Sequence, residues 1–114
     1  MERPISKGGS FNYPNKEEIE MTDAERFKKI TEEMAEVYRK KNKDYGNSFH
    51  EVFKEWGYPS AGAQIGHKYN RMKTLMTTTE TPKVNESLRD TLLDMANYCI
   101  FTMMEIDKIN ERNA

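Results

Sequence analysis

The chain has 114 residues, with 18 Lys plus Arg against 19 Asp plus Glu and a formal net charge of −1. That length suits one domain with a modest core, and the charge balance excludes the basic excess with which proteins neutralise a nucleic-acid backbone, so no nucleic-acid partner is expected. With 32% charged and 36% hydrophobic residues, helices with ion-paired outer faces are expected, and a core completed by pairing of copies into a homo-oligomer.

Residues 1–21 mix Pro4, Gly8, Gly9 and Pro14 with Phe11 and Tyr13 and show no period that would bury a face. They read as a flexible N-terminal arm, and residues 22–114 as the helical domain. The opening MERPISKGGS has no apolar run like that of a signal peptide, and no apolar run is long enough to span a bilayer. A cytoplasmic protein without a membrane partner is expected.

Thr22 followed by Glu25 is a capping-box signal, so a helix starts here. Phe27, Ile30, Met34, Val37 and Tyr38 then give an apolar stripe lasting to about Lys41, with Glu32, Glu33 and Glu36 on its edge and back. Asp44, Tyr45, Gly46 and Asn47 form a turn at which Gly46 is free to adopt a left-handed conformation. Ser48 with Glu51 reads as a second capping box opening a short helix through Phe49, Val52, Phe53 and Trp56, ended by Gly57 and Pro59. A third helix is predicted from Ser60 to Met76, with Ala61, Ile65, Tyr69, Met72 and Met76 inward. In it Gly62 and Gly66 permit close helix contact, and His67, Lys68 and Arg71 leave on the other sides. Residues 77–84 read as a linker containing Pro82, and Asn85 as the cap of the next helix.

The stretch from Asn85 to Asn110 contains no Pro or Gly and reads as one long central helix. Leu88, Leu92, Met95, Cys99 and Ile106 fall on one stripe, widened by Leu93, Ala96, Ile100 and Met103, so Cys99 is expected in the core. Opposite them stand Glu86, Asp90, Asp94 and Asn97, on a face that turns apolar at Phe101 and Met104. A wholly solvated face does not do that, so these acids either line a cleft or form a wetted surface beside one. The predicted architecture is an all-α antiparallel bundle of about four helices.

Cys99 is the only cysteine and His50 and His67 are the only histidines, which leaves little material for a zinc site or a nucleophilic triad. Carboxylates on facing helices can instead hold Mg²⁺, which binds phosphates and activates water. Glu33 and Glu36 on the first helix, with Glu86, Asp90 and Asp94 on the last, are the candidate metal ligands. For Glu32, Glu33 and Glu36 the plainer alternative is a solvated face. In the loop and short helix, Tyr45 or Phe49 is placed to stack on a base, Asp44 to accept from a sugar or base, and Ser48 to bond a phosphate. The turn and cap roles of Asp44 and Ser48 are the alternative.

Lys43-Asp44-Tyr45-Gly46-Asn47-Ser48-Phe49 together with Asp90-Thr91-Leu92-Leu93-Asp94-Met95-Ala96-Asn97-Tyr98 resemble the first nucleotide modification associated domain family of phages and bacteria. The likeness extends over about residues 25–106 and includes Lys68-Tyr69-Asn70-Arg71-Met72. It implies a phage or bacterial protein placed near nucleotide metabolism, in the host cytoplasm if phage-encoded, with Asp44, Tyr45, Ser48, Phe49, Lys68, Arg71, Asn97 and Tyr98 as candidate ligand-binding residues. Glu32-Glu33-Met34-Ala35-Glu36 also resembles, distantly, the EExxE helix of the MazG-like all-α nucleoside triphosphate pyrophosphohydrolases. The ExxD partner departs, since Glu86, Asp90 and Asp94 are spaced by four; that spacing still shares one helical face.

Two functions follow as expectations. One is an Mg²⁺-dependent pyrophosphohydrolase in which Asp90 and Asp94 are catalytic and Lys68 and Arg71 neutralise phosphate. The other is a module that binds or sequesters a nucleotide without turning it over, as in phage counter-defence; an oligomeric scaffold is the background case. Convergence of the acids from the first and last helices separates them.

Overall fold

The computed structural model describes Phe11, residues 13–45 and residues 47–114, with the side chains of Asp44 and Tyr45 outside that description. Most of the arm and the turn at Gly46 therefore lie outside the described residues. A 3-10 turn at Lys16–Glu18 precedes four helices: α1 (Asp23–Tyr45), α2 (Ser48–Trp56), α3 (Tyr58–Met76) and α4 (Pro82–Asn113). The fold is an all-α bundle, and among the described residues no helix is long and apolar enough to cross a membrane.

The start of α1 follows the capping box. The Glu25 amide donates to Thr22 Oγ1 at 3.1 Å, and the Thr22 amide donates to Glu25 Oε1 at 2.8 Å. That backbone donor, with the Thr22 hydroxyl, holds the Glu25 carboxyl below its ordinary value. α1 continues past Lys41 to Tyr45, because the basic run is made of good helix formers that also suit the negative end of the helix dipole.

Other boundaries differ from the sequence expectation. Ser48 is already inside α2: the cap is Asn47, it makes no side-chain cap bond, and the Glu51 amide donates to the Asn47 carbonyl at 3.0 Å. The expected Ser48–Glu51 box is not made. Gly57 ends α2 with φ +73°, the left-handed region that a side chain opposes. Pro59 then falls in the first turn of α3, where its missing N–H is no loss. Likewise Thr81 caps α4 in place of Asn85, its hydroxyl accepting from the Val84 amide at 3.1 Å, and Pro82 opens the helix.

At about 1.5 Å per residue, the 32 residues of α4 run for roughly 48 Å, close to the long dimension of a molecule measuring 51 × 32 × 29 Å. α3 lies along α4 as the most extensive helix pair, α2 packs across both, and α1 touches α4 over a short length. The buried apolar side chains among the described residues are Met34, Phe53 and Ala61. Ala61 at 2% exposure is the close-packed point of α3. Gly62 and Gly66 are not, since a Cβ built on either meets nothing within 4 Å.

The faces of α4 are divided in a way that hydrophobic periodicity alone does not give. Thr91, Asn97 and Glu105 are buried and Asp94, Phe101 and Met104 are half-buried, whereas Leu92, Cys99, Ile100 and Met103 are exposed. Cys99, expected in the core, is on the surface because no described element of this chain lies over its face.

α1 is latched to α4 by Arg89, whose two terminal nitrogens donate to the Glu33 carboxylate at 3.0 and 2.8 Å. These bonds, followed by the charges of Arg89 and Lys29, hold the Glu33 carboxyl below its ordinary value, although burial opposes them. A depressed carboxyl contributes stability that is full above its unfolded pKa and is lost as pH falls through the folded one. NMR titration of Glu33 is expected to give a midpoint below the ordinary glutamate value, moving up toward that value in Arg89→Gln; a midpoint unmoved by the substitution would show that the latch is absent in solution. Phe53→Ala, which empties the packing point between α2 and Tyr58, is expected to lower stability by about 3–5 kcal/mol in urea unfolding.

Candidate functional site

A cleft of about 250 Å³ opens between the C-terminal half of α1, the first turn of α2 and the buried face of α4. Helical period builds it. Val37, Tyr38, Lys41 and Asn42 come from successive turns of α1, Ser48 and Phe49 from the start of α2, and Asp94, Asn97, Tyr98, Phe101, Met104, Glu105 and Lys108 from one face of α4.

One wall is aromatic. The Phe49 ring lies 6.0 Å from Tyr98 with planes 25° apart and 5.5 Å edge-on from Phe101, and Tyr38 meets Phe101 at 5.3 Å. Such offset and edge-to-face pairs stiffen a wall beyond the area they bury. Phe53, one turn further along α2, lies nearly parallel to Phe49 at 6.4 Å.

The floor is polar. Glu105, 5% exposed, accepts at both carboxylate oxygens from His50 Nδ1, at 2.8 and 2.9 Å, and at Oε2 from the Lys108 ammonium at 3.3 Å. An ionised carboxylate only accepts, so Nδ1 carries the proton and this contact selects the imidazole tautomer. The bond fastens α2 to α4 beneath the aromatic wall.

Asn97 differs from its neighbours. It is 7% exposed and lines the cleft, yet among the described residues its amide makes no hydrogen bond. No buried side-chain nitrogen or oxygen among those residues is sealed off without a partner, so the Asn97 donor and acceptor remain accessible from the cavity. Lys41, at the rim, is within 4 Å of no acidic side chain among the described residues. Among the described residues the Asn97 amide and the Lys41 ammonium are thus left without a protein partner, as groups that receive a ligand are.

The candidate residues from sequence divide accordingly. Ser48, Phe49, Asp94, Asn97 and Tyr98 come together in the cleft. Lys68 reaches its edge by pairing with Asp94 at 3.0 Å, and Arg71 is exposed on α3 outside the lining. Glu86 and Asp90 are exposed on α4 away from the cavity, Glu33 is held by Arg89, and Glu36 is paired with Arg39 along α1. Among the described residues no three His, Cys, Asp or Glu side chains gather to hold one cation, and the acids expected to hold Mg²⁺ do not converge. The side chains of Asp44 and Tyr45 lie outside the described residues. Sequence reasoning did not single out Tyr38, Lys41, Glu105 or Lys108. The available signal was the step of four from Asn97 to Phe101 to Glu105, which carries the same face one turn further.

Glu105→Leu leaves the His50 and Lys108 donors without their acceptor and is expected to lower stability by roughly 1–3 kcal/mol in urea unfolding; an unchanged midpoint would show that the carboxylate does not tie α2 to α4.

No curated protein and no solved structure matches the chain. A family model does: Nucleotide modification associated domain 1 covers residues 41–106, which hold the end of α1, all of α2 and α3, and the cleft-lining part of α4 up to Glu105. Since that match spans more than half of its length, the chain belongs to the Nucleotide modification associated domain 1 family.

Proposed function

We propose that the cleft binds a nucleotide and holds it without turnover, in the cytoplasm where such ligands are available. The carrying observation is the unmatched Asn97 amide beneath an aromatic wall. A nucleobase has the complementary parts: a flat face for Tyr38 and Phe49 and an edge of donors and acceptors for Asn97. Its phosphate meets the Lys41 ammonium at the mouth, with Ser48 as a further donor. The family's association with nucleotide modification supports the same ligand class. For a phage-encoded copy, retention of an intact nucleotide would remove a signal or a modified precursor from the host.

The competing reading is Mg²⁺-dependent hydrolysis of a nucleoside triphosphate. It is favoured by Asp94, a carboxylate that lines the cleft. Against it, Asp94 is already paired with Lys68, and Glu33 and Glu36 are engaged by arginines.

Calorimetric titration with a panel of nucleotides, including cyclic and modified ones, with and without Mg²⁺, separates the two when each ligand is checked by chromatography afterwards. Tight binding with the ligand recovered intact is expected. Asn97→Leu and Tyr38→Ala are each expected to weaken that binding about 5- to 100-fold, the range of a lost base-stacking or buried polar contact. Magnesium-dependent loss of a triphosphate would replace this reading with the hydrolase, and absence of binding across the panel would overturn both.

A further inference from the structure

We propose that α4 pairs antiparallel with the α4 of a second copy of this chain, through the face the protomer leaves open. This inference is independent of what the cleft binds, because that face lies on the other side of the helix from Asn97 and Phe101.

Four observations carry it. Leu92, Ala96, Cys99, Met103 and Ile106 follow at steps of four, three, four and three, the heptad spacing of a seam between two helices. A solvent face carries no such pattern. On this seam and its flank Leu92 is 38% exposed, Ile100 37% and Met103 54%, and Cys99 is exposed beside them.

The second observation is area. The chain exposes 9477 Å², where a compact chain of 13.4 kDa exposes about 6,500 Å². Setting aside a dozen residues at their fully extended exposure, about 2,000 Å², still leaves roughly 1,000 Å² of surplus, shared between the exposed residues 13–18 ahead of α1 and the open face of α4. Each partner of a standard stable interface contributes about 800 Å². The third is shape: the radius of gyration is 17.6 Å, against about 13 Å for a compact domain of this length.

The fourth is charge, and it sets the direction. Arg89 and Asp107 stand on the same flank of the seam, about five helical turns apart. Antiparallel pairing about a twofold axis level with Tyr98 sets each Arg89 near the partner subunit's Asp107, twice. Parallel pairing would leave Arg89 and Asp107 on opposite sides of the seam from their counterparts and about five turns from each other, with no such ion pair. Arg89 commits two of its five donors to Glu33, which leaves donors for the partner. A twofold axis also makes the surface self-complementary, as an isologous dimer requires.

The test uses the full chain. Sedimentation equilibrium over a concentration series is expected to give twice the 13.4 kDa chain mass, and a short bismaleimide is expected to link Cys99 to the partner's Cys99, the chain having no other cysteine. Leu92→Lys and Met103→Lys change exposed side chains; each is expected to weaken dimerisation at least tenfold. For direction, one preparation carries Cys99→Ser with Asn85→Cys and another carries Cys99→Ser with Asn110→Cys, and each is cross-linked alone and after mixing. Links forming only in the mixture establish the antiparallel pair. A monomer at every concentration, a dimer without the Cys99 link, a dimer indifferent to both lysine substitutions, or links forming within the separate preparations would each overturn the proposal as stated.

Discussion

α4 presents more apolar circumference than the rest of the chain can cover. Its 32 residues outrun the 19 of α3 and the 9 of α2, and α1, although 23 residues long, meets it only over a short length. The chain spends its own cover on the mixed face, where Thr91, Asn97 and Glu105 are buried, and leaves the more uniformly apolar face outward. Burying the polar groups is tolerated because most are satisfied locally. Thr91 donates to the Ser87 carbonyl one turn back at 2.8 Å, and Glu105 is bridged by His50 and Lys108. Asn97 is left without such a partner among the described residues, and its position in the cleft gives that exception a use.

Much of the fold was legible because local signals and tertiary structure agree over most of its length. The box at Thr22 and Glu25 begins α1 as read, Gly57 ends α2, and the long Pro- and Gly-free stretch is one helix. The misread boundaries share a cause. At Ser48, Pro59, Pro82 and Asn85 two neighbouring residues each carry a helix-start or helix-stop signal, and backbone geometry chose the other one. Pro59 and Pro82 read as breakers but sit in first turns, where proline is favoured. The site was half legible for a different reason. Asp94 and Asn97 announced themselves through a polar face that turns apolar and Tyr98 only through the family resemblance, whereas Glu105 and Lys108 lie beyond that turn, and Tyr38 and Lys41 belong to a stripe whose default reading is core and helix end. Cys99 was misplaced because periodicity identifies an apolar face without saying which molecule covers it.

Charge in and around the cleft is largely matched before any ligand arrives. Asp94 has Lys68 and Glu105 has His50 and Lys108, so neither carboxylate is a bare anion awaiting a cation. A metal would have to compete with an ammonium already in place, and the first-helix acids are held by Arg89 and Arg39. Among the described residues the groups left uncommitted include aromatic surface, the buried Asn97 amide and the Lys41 ammonium, which suit a different kind of ligand. That balance favours recognition of a flat polar ring with an attached anion over electrophilic activation of a phosphate.

The cleft also lies at the least secured junction of the bundle. Its α2 and α4 walls are fixed by the Glu105–His50 contact and the Phe49 ring stack, whereas α1 adds its wall through Met34, the Tyr38–Phe101 contact and an exposed arginine latch. An exposed pair of that kind contributes little by itself. A ligand seated between Tyr38 on α1 and Asn97 on α4 therefore supplies contacts across the junction that the chain alone makes sparsely, and binding is coupled to the docking of α1 by mass action. On the proposed reading the two faces of α4 differ in the same way: the inner face would gain order from a ligand, while the outer seam is helical surface already formed without one.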